Sequence, residues 1–362
     1  MRSKVAWCMV LGVLSGCGSS GAEVGRGDRP ARPRMNDNGR DTGSLALRLT
    51  DVGGWNPATD YGAIGRNLDG FETTVGSSDR QCVSTLGPPV DGVDGIDNAM
   101  GPQVANILSL VVPCLEGEVH SAQRAGQGTL LLLLDGWNGT RNDARVTASL
   151  LFAADATSAD PSAVMWDATT HQLVLSADGV TPAPEPSGAD SDYVVVRPDS
   201  FTEGAAATPR ILDQDAYVSD GVIVFELPGR VAIPLAAERF TLTLLVTDGL
   251  FLATLGEDLS SVTGGSLSGR VAVVDLLESL GGLGVCMSLW PSVAPQLENS
   301  ADVLSDAALP ASQSMCDAIS FGLPIQGTAL TLTREDGLPV RAGSNPPRAN
   351  ACAAPPVDPI CD

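Results

Sequence analysis

The sequence predicts a mainly β protein: an antiparallel β-sandwich of jelly-roll-like strand rhythm, with a few short helices and a smaller C-terminal α+β unit. Three observations carry this. Short apolar runs, alternating or continuous, recur from Leu45 onward. Asp-Gly dipeptides punctuate them, beginning at Asp69, Asp91, Asp94, Asp135, Asp178, Asp220, Asp248 and Asp336. Asp-Gly favours two-residue hairpin turns because both positions tolerate positive φ. Helical periodicity is confined to a few brief stretches.

Residues 1–16 have the form of a signal peptide. Arg2 and Lys4 precede the apolar run VAWCMVLGVL, Val5 to Leu14, which is too short to span a bilayer. The next residues, Leu14-Ser15-Gly16-Cys17, resemble the lipobox of bacterial lipoproteins. That resemblance implies cleavage before Cys17, diacylglyceryl modification of its thiol, and a lipid-anchored, exported chain. Gly18 after the cysteine, where inner-membrane retention uses Asp, implies an outer-membrane or cell-surface address. Residues 17–43 are rich in Gly, Pro, Arg and Asp and poor in apolar residues, which predicts a disordered tether.

The body begins with the alternation of Leu45, Leu47 and Leu49. Strands are predicted at Leu130–Leu134, 144–152, 172–176, 193–197 and 222–227. FTLTLLVT-DG-LFLATL (240–255) reads as a hairpin about Asp248-Gly249, and AYVS-DG-VIVFEL as a second about Asp220-Gly221. Helices are expected at 102–112, at the end of 271–280 and over 296–308. The length argues for two units, a sandwich over 44–256 and a smaller disulfide-containing domain over 257–348, followed by an irregular tail, 349–362.

Charge narrows the function. The chain carries 43 acidic residues against 21 basic ones, a net charge of −22. Without residues 1–16 it has no lysine, and its net charge falls to −24 (19 Arg against 43 acids). Such a chain repels nucleic acid and anionic lipid. Lysine-dependent chemistry, whether Schiff base, pyridoxal or phosphate loop, is excluded. Cys82, Cys114, Cys286, Cys316, Cys352 and Cys361 form an even set, which in an exported chain predicts disulfides. Sequential pairing, 82–114, 286–316 and 352–361, closes the most local loops.

Two loops carry chemistry. VDGVDGIDN places Asp91, Asp94, Asp97 and Asn98 within eight residues, an oxygen-rich set of the kind calcium takes. The spacing is not that of an EF-hand, and the other Asp-Gly pairs favour a cluster of tight turns. Asp135, Trp137, Asn138, Asn142 and Asp143 form a second polar loop, either a sugar site with an exposed Trp or, the favoured reading, a long hairpin loop with a packed Trp. His120 and His171 have no nucleophile motif beside them, and no G-x-S-x-G is present.

The pieces IGRNLDGFET (64–73), DGVDGIDNAMGPQ (91–103), DGWNGTRND (135–143) and SMCDAISFGLPI (314–325) resemble uncharacterised myxobacterial-type cell-surface lipoproteins. The resemblance implies a surface location and supplies no catalytic residues. The expected function is adhesion or recognition by a non-enzymatic, lipid-anchored protein. Its expected partners are the membrane through the N-terminal lipid, and carbohydrate or another surface protein. The alternatives are a calcium-dependent carbohydrate-binding module and an extracellular hydrolase.

Overall fold

Asp220 and Gly221 both have positive φ (51° and 85°), the geometry of a tight two-residue hairpin turn, and they join β6 (Ile211–Ser219) to β7 (Val222–Glu226) with Ser219 opposite Val222. This hairpin is the one read from the sequence. It belongs to a computed structural model that describes residues 29–34, 41–53, 60–76, 80–85, 90–111, 115, 118–119, 122, 128–155, 166–167, 193–196, 198–202, 208–237, 240–282, 289–309 and 314–330. The signal segment, Cys17, His120, His171, the strand expected at 172–176, Cys114, Cys286, Cys352, Cys361 and the 349–362 tail lie outside the described residues.

The remaining strands are β1 (Gly43–Val52), β2 (Thr129–Trp137), β3 (Asp143–Asp155), β4 (Trp166–Asp167), β5 (Tyr193–Val196), β8 (Arg230–Ala236), β9 (Thr241–Leu255), β10 (Ser261–Ala272) and β11 (Ala318–Leu330). They do not form a sandwich. Eight of them run in the cyclic order β1-β11-β10-β9-β7-β6-β3-β2 and return to β1, an eight-stranded antiparallel barrel. Closure rests on β1, which pairs β2 on one side and β11 on the other, with Ala46 opposite both Leu133 and Leu330. Period-two strands read the same in a sandwich as in a barrel; only this long-range pairing separates the two. β8 flanks β9, and β4 and β5 flank β3.

The expected C-terminal α+β unit is not separate either. β10 and β11, both beyond residue 257, are staves of the same barrel. Alternate residues of the staves, among them Leu47, Leu132, Leu150, Phe225, Phe251, Leu267 and Phe321, merge into one buried cluster. Residues of opposite phase form separate small clusters, Leu131 with Leu151 and Tyr217 with Val224 and Leu250. The large cluster is therefore the barrel interior, filled by side chains as an eight-stranded barrel allows. Helices α1 (Asn106–Val111, entered through a π-helical turn at Met100–Ala105), α2 (Val273–Gly282) and α3 (Trp290–Asn299) extend it. The helix expected over 296–308 stops at Asn299. Beyond it Val303 pairs with Ala318, and Val303 and Leu304 are buried.

Asp248-Gly249 is not a turn. β9 runs unbroken through it, and Asp248 (φ 50°) sits in a bulge. Val246 and Phe251 both face the interior although five residues apart, an odd spacing that only an extra residue permits. The bulge also bends β9, so that its first half pairs β8 and its second half β7.

Cys82 bonds to Cys316, with Cα atoms 5.1 Å apart, so the sequential pairings of Cys82 with Cys114 and of Cys286 with Cys316 do not form. Bond proximity follows the fold here: Val83 bridges Met315, and Cys316 donates its N–H to the Val83 carbonyl. Non-reducing peptide mapping is expected to recover 82–316 as a linked pair. Removing it with a double Ala substitution should cost about 4–5 kcal/mol, because the closed loop spans 234 residues. A mapped 82–114 link would contradict the chain path.

Candidate functional site

Residues 60–76, 80–85 and 90–98 lie along the outer wall of β9, β10 and β11, through Arg66 on Asp248, Leu68 on Arg270 and Asn98 on Gly322, and VDGVDGIDN closes the far end. Asp94 (φ 56°) and Gly95 (φ 77°) make a tight turn between Val93 and Ile96, closed by the Ile96 N–H on the Val93 carbonyl at 3.2 Å. Gly92 packs against Gly62, where a Cβ would come within 2.1 Å of the Gly62 carbonyl oxygen. Asp94 therefore stands apart from Asp91 and Asp97, which line one cavity. Asp94 is exposed at the turn, Asp91 is half-buried, and Asp97 is 3 % exposed beneath it. Asn98 is committed to structure: its Nδ2 donates to the Ile64 and Gly322 carbonyls at 2.9 and 3.0 Å. The four-residue calcium set does not converge, and among the described residues no group of three acids, histidines or cysteines is close enough to hold a metal.

What holds this segment down is Arg270, 1 % exposed on the outward face of β10. Its Nη1 donates to Gln81 Oε1 (3.0 Å) and to the Leu304 carbonyl (2.6 Å), and its Nη2 donates to the Leu68 carbonyl. Nε faces Asp248 Oδ2 at 3.4 Å, and Arg66 Nη2 meets Asp248 Oδ1 at 2.9 Å. The bulge in β9 thus turns one carboxylate outward between two buried guanidiniums. Burial lowers the Arg66 pKa, against the pull of Asp248. None of these residues stands out in sequence by motif. Arg270, inside a strand otherwise of small and apolar residues, is the one visible signal.

Beside this arginine layer lies a cavity of about 140 Å³, lined by Tyr61, Asp91, Asp97, Asn98, Gln103 and Asp302 among others. Sequence reasoning found Asp91 and Asp97 and missed Asp302, which arrives from the connection after α3. Asp302 accepts from the Ser320 N–H at 2.8 Å and from the Ser320 hydroxyl. Asp97 accepts from the Leu68 N–H (2.6 Å) and the Asp69 N–H (3.2 Å). Asp91 accepts from the Thr73 N–H and lies within electrostatic reach of Asp97. Among the described residues neither Asp97 nor Asp302 has an arginine within ion-pair distance, because Arg66 and Arg270 both turn to Asp248.

The electrostatics follow. Burial pushes Asp97 well above the ordinary carboxyl range, and the charges of Asp69, Asp302 and Asp91 add to it. Burial raises Asp302 to about 7, partly offset by its bonds from Ser320. Burial likewise raises Asp91 to about 6, opposed by the Thr73 N–H and reinforced by Asp69. Asp69 is raised by burial too. The folded state therefore holds protons at neutral pH that the unfolded chain has released.

The second polar loop is a self-contained turn. Trp137 is buried in the barrel cluster with its Nε1 donating to the Thr140 carbonyl (3.0 Å), so of the two readings of this loop the hairpin with a packed Trp is the one the fold adopts. Asp143 accepts from the Asn138 N–H, Asn138 Oδ1 accepts from the Thr140 N–H, and Asn142 bonds Asp220 across to the β6–β7 turn. Asp135 is exposed on β2. Comparison of the chain with protein families, with curated proteins and with solved structures returns no match.

Two outcomes are expected. Arg270→Met should destabilise the fold by about 3–5 kcal/mol, since Asp248 loses a buried partner and the Leu68 and Leu304 carbonyls lose theirs. Arg270→Lys should recover little of this, because a single ammonium cannot reproduce the fork; denaturant melts measure both. For pH the sign is set by raised carboxyls: their stabilisation is complete below the ordinary value of 3.8 and is lost as pH rises through about 6 to 7. Tm should thus fall between pH 5 and pH 8. Asp302→Asn, a neutral mimic that still accepts from the Ser320 N–H, should flatten that fall. A Tm that rises over this interval would contradict the proton-bearing cluster.

Proposed function

We propose that this chain is a lipid-anchored protein of the bacterial cell surface, of the myxobacterial lipoprotein type it resembles, and that it acts in recognition or adhesion without catalysis. The supporting observation is where the polar groups lie. The barrel interior is filled with apolar side chains, whereas the outer wall carries an open cavity of mixed carboxyl, amide and phenol groups. Val90 lines this cavity and is itself 60 % exposed, an apolar lip beside an acidic floor. Such a site suits a small cationic group, and its place on the wall leaves the barrel rigid around it. The lipobox supports the anchor. Cys17→Ser should move the protein from the membrane fraction to the soluble periplasmic or medium fraction; unchanged fractionation would contradict the anchor.

A second reading keeps calcium, with a changed set of residues. Asp91, Asp97 and Asp302 line one cavity without forming a ready-made ligand group, and a divalent ion would have to draw them together as it displaced their protons. At pH 8 calcium should then raise Tm by several degrees over a chelated sample, and Asp97→Asn should abolish the rise while Asp94→Asn leaves it intact. Equal melts with calcium and chelator would remove this reading.

A further inference from the structure

The segment Arg29-Pro30-Ala31-Arg32-Pro33-Arg34, expected to belong to a free tether, lies across the outside of β7, β6 and β3. Arg29 pairs with Glu226. The Tyr217 hydroxyl donates to the Pro30 carbonyl and the Ser219 hydroxyl to the Ala31 carbonyl, each at 2.7 Å. Arg32 places its guanidinium 4.7 Å from the Tyr217 ring centre, donating to the Asp215 carbonyl at 2.6 Å and the Ala144 carbonyl at 3.3 Å. The two prolines suit this use. They hold the residues before them extended and lack the N–H groups a ninth stave would need, so the segment lies on the barrel as a strap and does not extend the sheet.

We propose that this strap fixes the orientation of the barrel on its membrane, turning the β3–β6–β7 wall inward and the acidic cavity outward. The inference rests on the lipid anchor proposed above. Twelve residues separate Cys17 from Arg29, which span at most about 40 Å; twenty-six separate Cys17 from Gly43, about 90 Å. Docking therefore shortens the leash by more than half and moves its point of attachment to one wall. In the cyclic strand order β7, where the leash meets the strap at Arg29 on Glu226, stands three places from β11, and β6, under the middle of the strap, stands four. The cavity borders β11, through Asn98 on the Gly322 carbonyl and Asp302 on Ser320. A barrel strapped by β6 thus shows that cavity to the outside. The strap's arginines are held by an ion pair, a ring face and two carbonyls, and its backbone by the Tyr217 and Ser219 hydroxyls, so salt and charge reversal act on the arginine contacts.

The test uses the lipidated full chain in phosphatidylethanolamine–phosphatidylglycerol vesicles carrying an acceptor lipid. A fluorophore is introduced as an unnatural amino acid at Gln214, exposed on β6 beside the strap, or at Val75, 86 % exposed on the cavity side. Energy transfer to the bilayer should be at least twofold greater from Gln214 than from Val75. The pair R29E and R32E should bring the two sites to parity, as should 0.5–1 M salt, where charge interactions are screened to within about 3–4 Å. An unchanged melting temperature shows that the variant barrel is intact; a lowered one is answered by the salt arm, which needs no substitution. Equal transfer from both sites in the wild type, or a difference that survives both charge reversal and salt, overturns the strap. Failure of the anchor reads differently: the wild type then lacks the mass of the lipid on Cys17 and does not stay with the vesicles, and the proposal falls with it.

Discussion

Arg270 is the tie on which the outer architecture depends. A barrel of eight staves buries its inward residues unaided, but its outer faces need cover or charge. On the β9–β11 side the cover is irregular chain from two distant places, the described parts of 60–98 and 300–309, with few apolar residues to hold it down. One guanidinium on β10 reaches both, taking the carbonyls of Leu68 and Leu304 and the side chain of Gln81 in one plane. Gln81 Oε1 in turn accepts from the Leu304 N–H at 3.0 Å, so the two covering segments are tied to each other as well as to the wall. Only a fork of fixed geometry does this. Its charge is matched by Asp248, and Asp248 is in reach only because a bulge lifts it out of the β9 ladder.

Stationing both buried arginines at Asp248 leaves the neighbouring acids without a cation. Asp302 and Asp97 are held by amide and hydroxyl donors, which stabilise a carboxylate, yet burial outweighs those bonds and the protons stay. The site therefore cancels its charge with protons and gives them up as pH rises. Its neighbours on the strand side, Ser320 and the amides of Leu68 and Asp69, donate to these carboxyls.

Strand content was legible because alternation is a local property: β1, β2, β3, β6 and β7 fall where their apolar rhythm places them. Closure was not, because it depends on β1 meeting β11 across most of the chain, and neither strand carries a mark of its partner. The Asp-Gly rule illustrates the same limit. Asp220-Gly221 is a hairpin turn and Asp248-Gly249 a bulge, although both put an aspartate at positive φ between apolar runs. What differs is whether the following strand folds back or continues, a choice made by β7 and β10 on either side. At the candidate site Asp91 and Asp97 were visible as a crowded pair, whereas Asp302, Asp248 and Arg270 came from segments with no shared pattern. Trp137 follows the reading of its loop as a hairpin with a packed Trp, and its ring turns into the barrel end.

The order in which the chain is made bears on the closing pair. The first stave is complete by residue 52 and must wait for a partner that begins at residue 318, and Cys82 must likewise wait for Cys316. Until then the nascent barrel has two raw edges, each a template for wrong pairing with another unfinished chain. Strand pairing over such distances is slow, and the open sheet persists for the time it takes the rest of the polypeptide to arrive. Acidic residues outnumber basic ones 43 to 21 along the chain, and like charge of this kind opposes the association of half-built chains. The acidity that looks like a surface property of the finished molecule thus acts earlier, as a safeguard during its assembly.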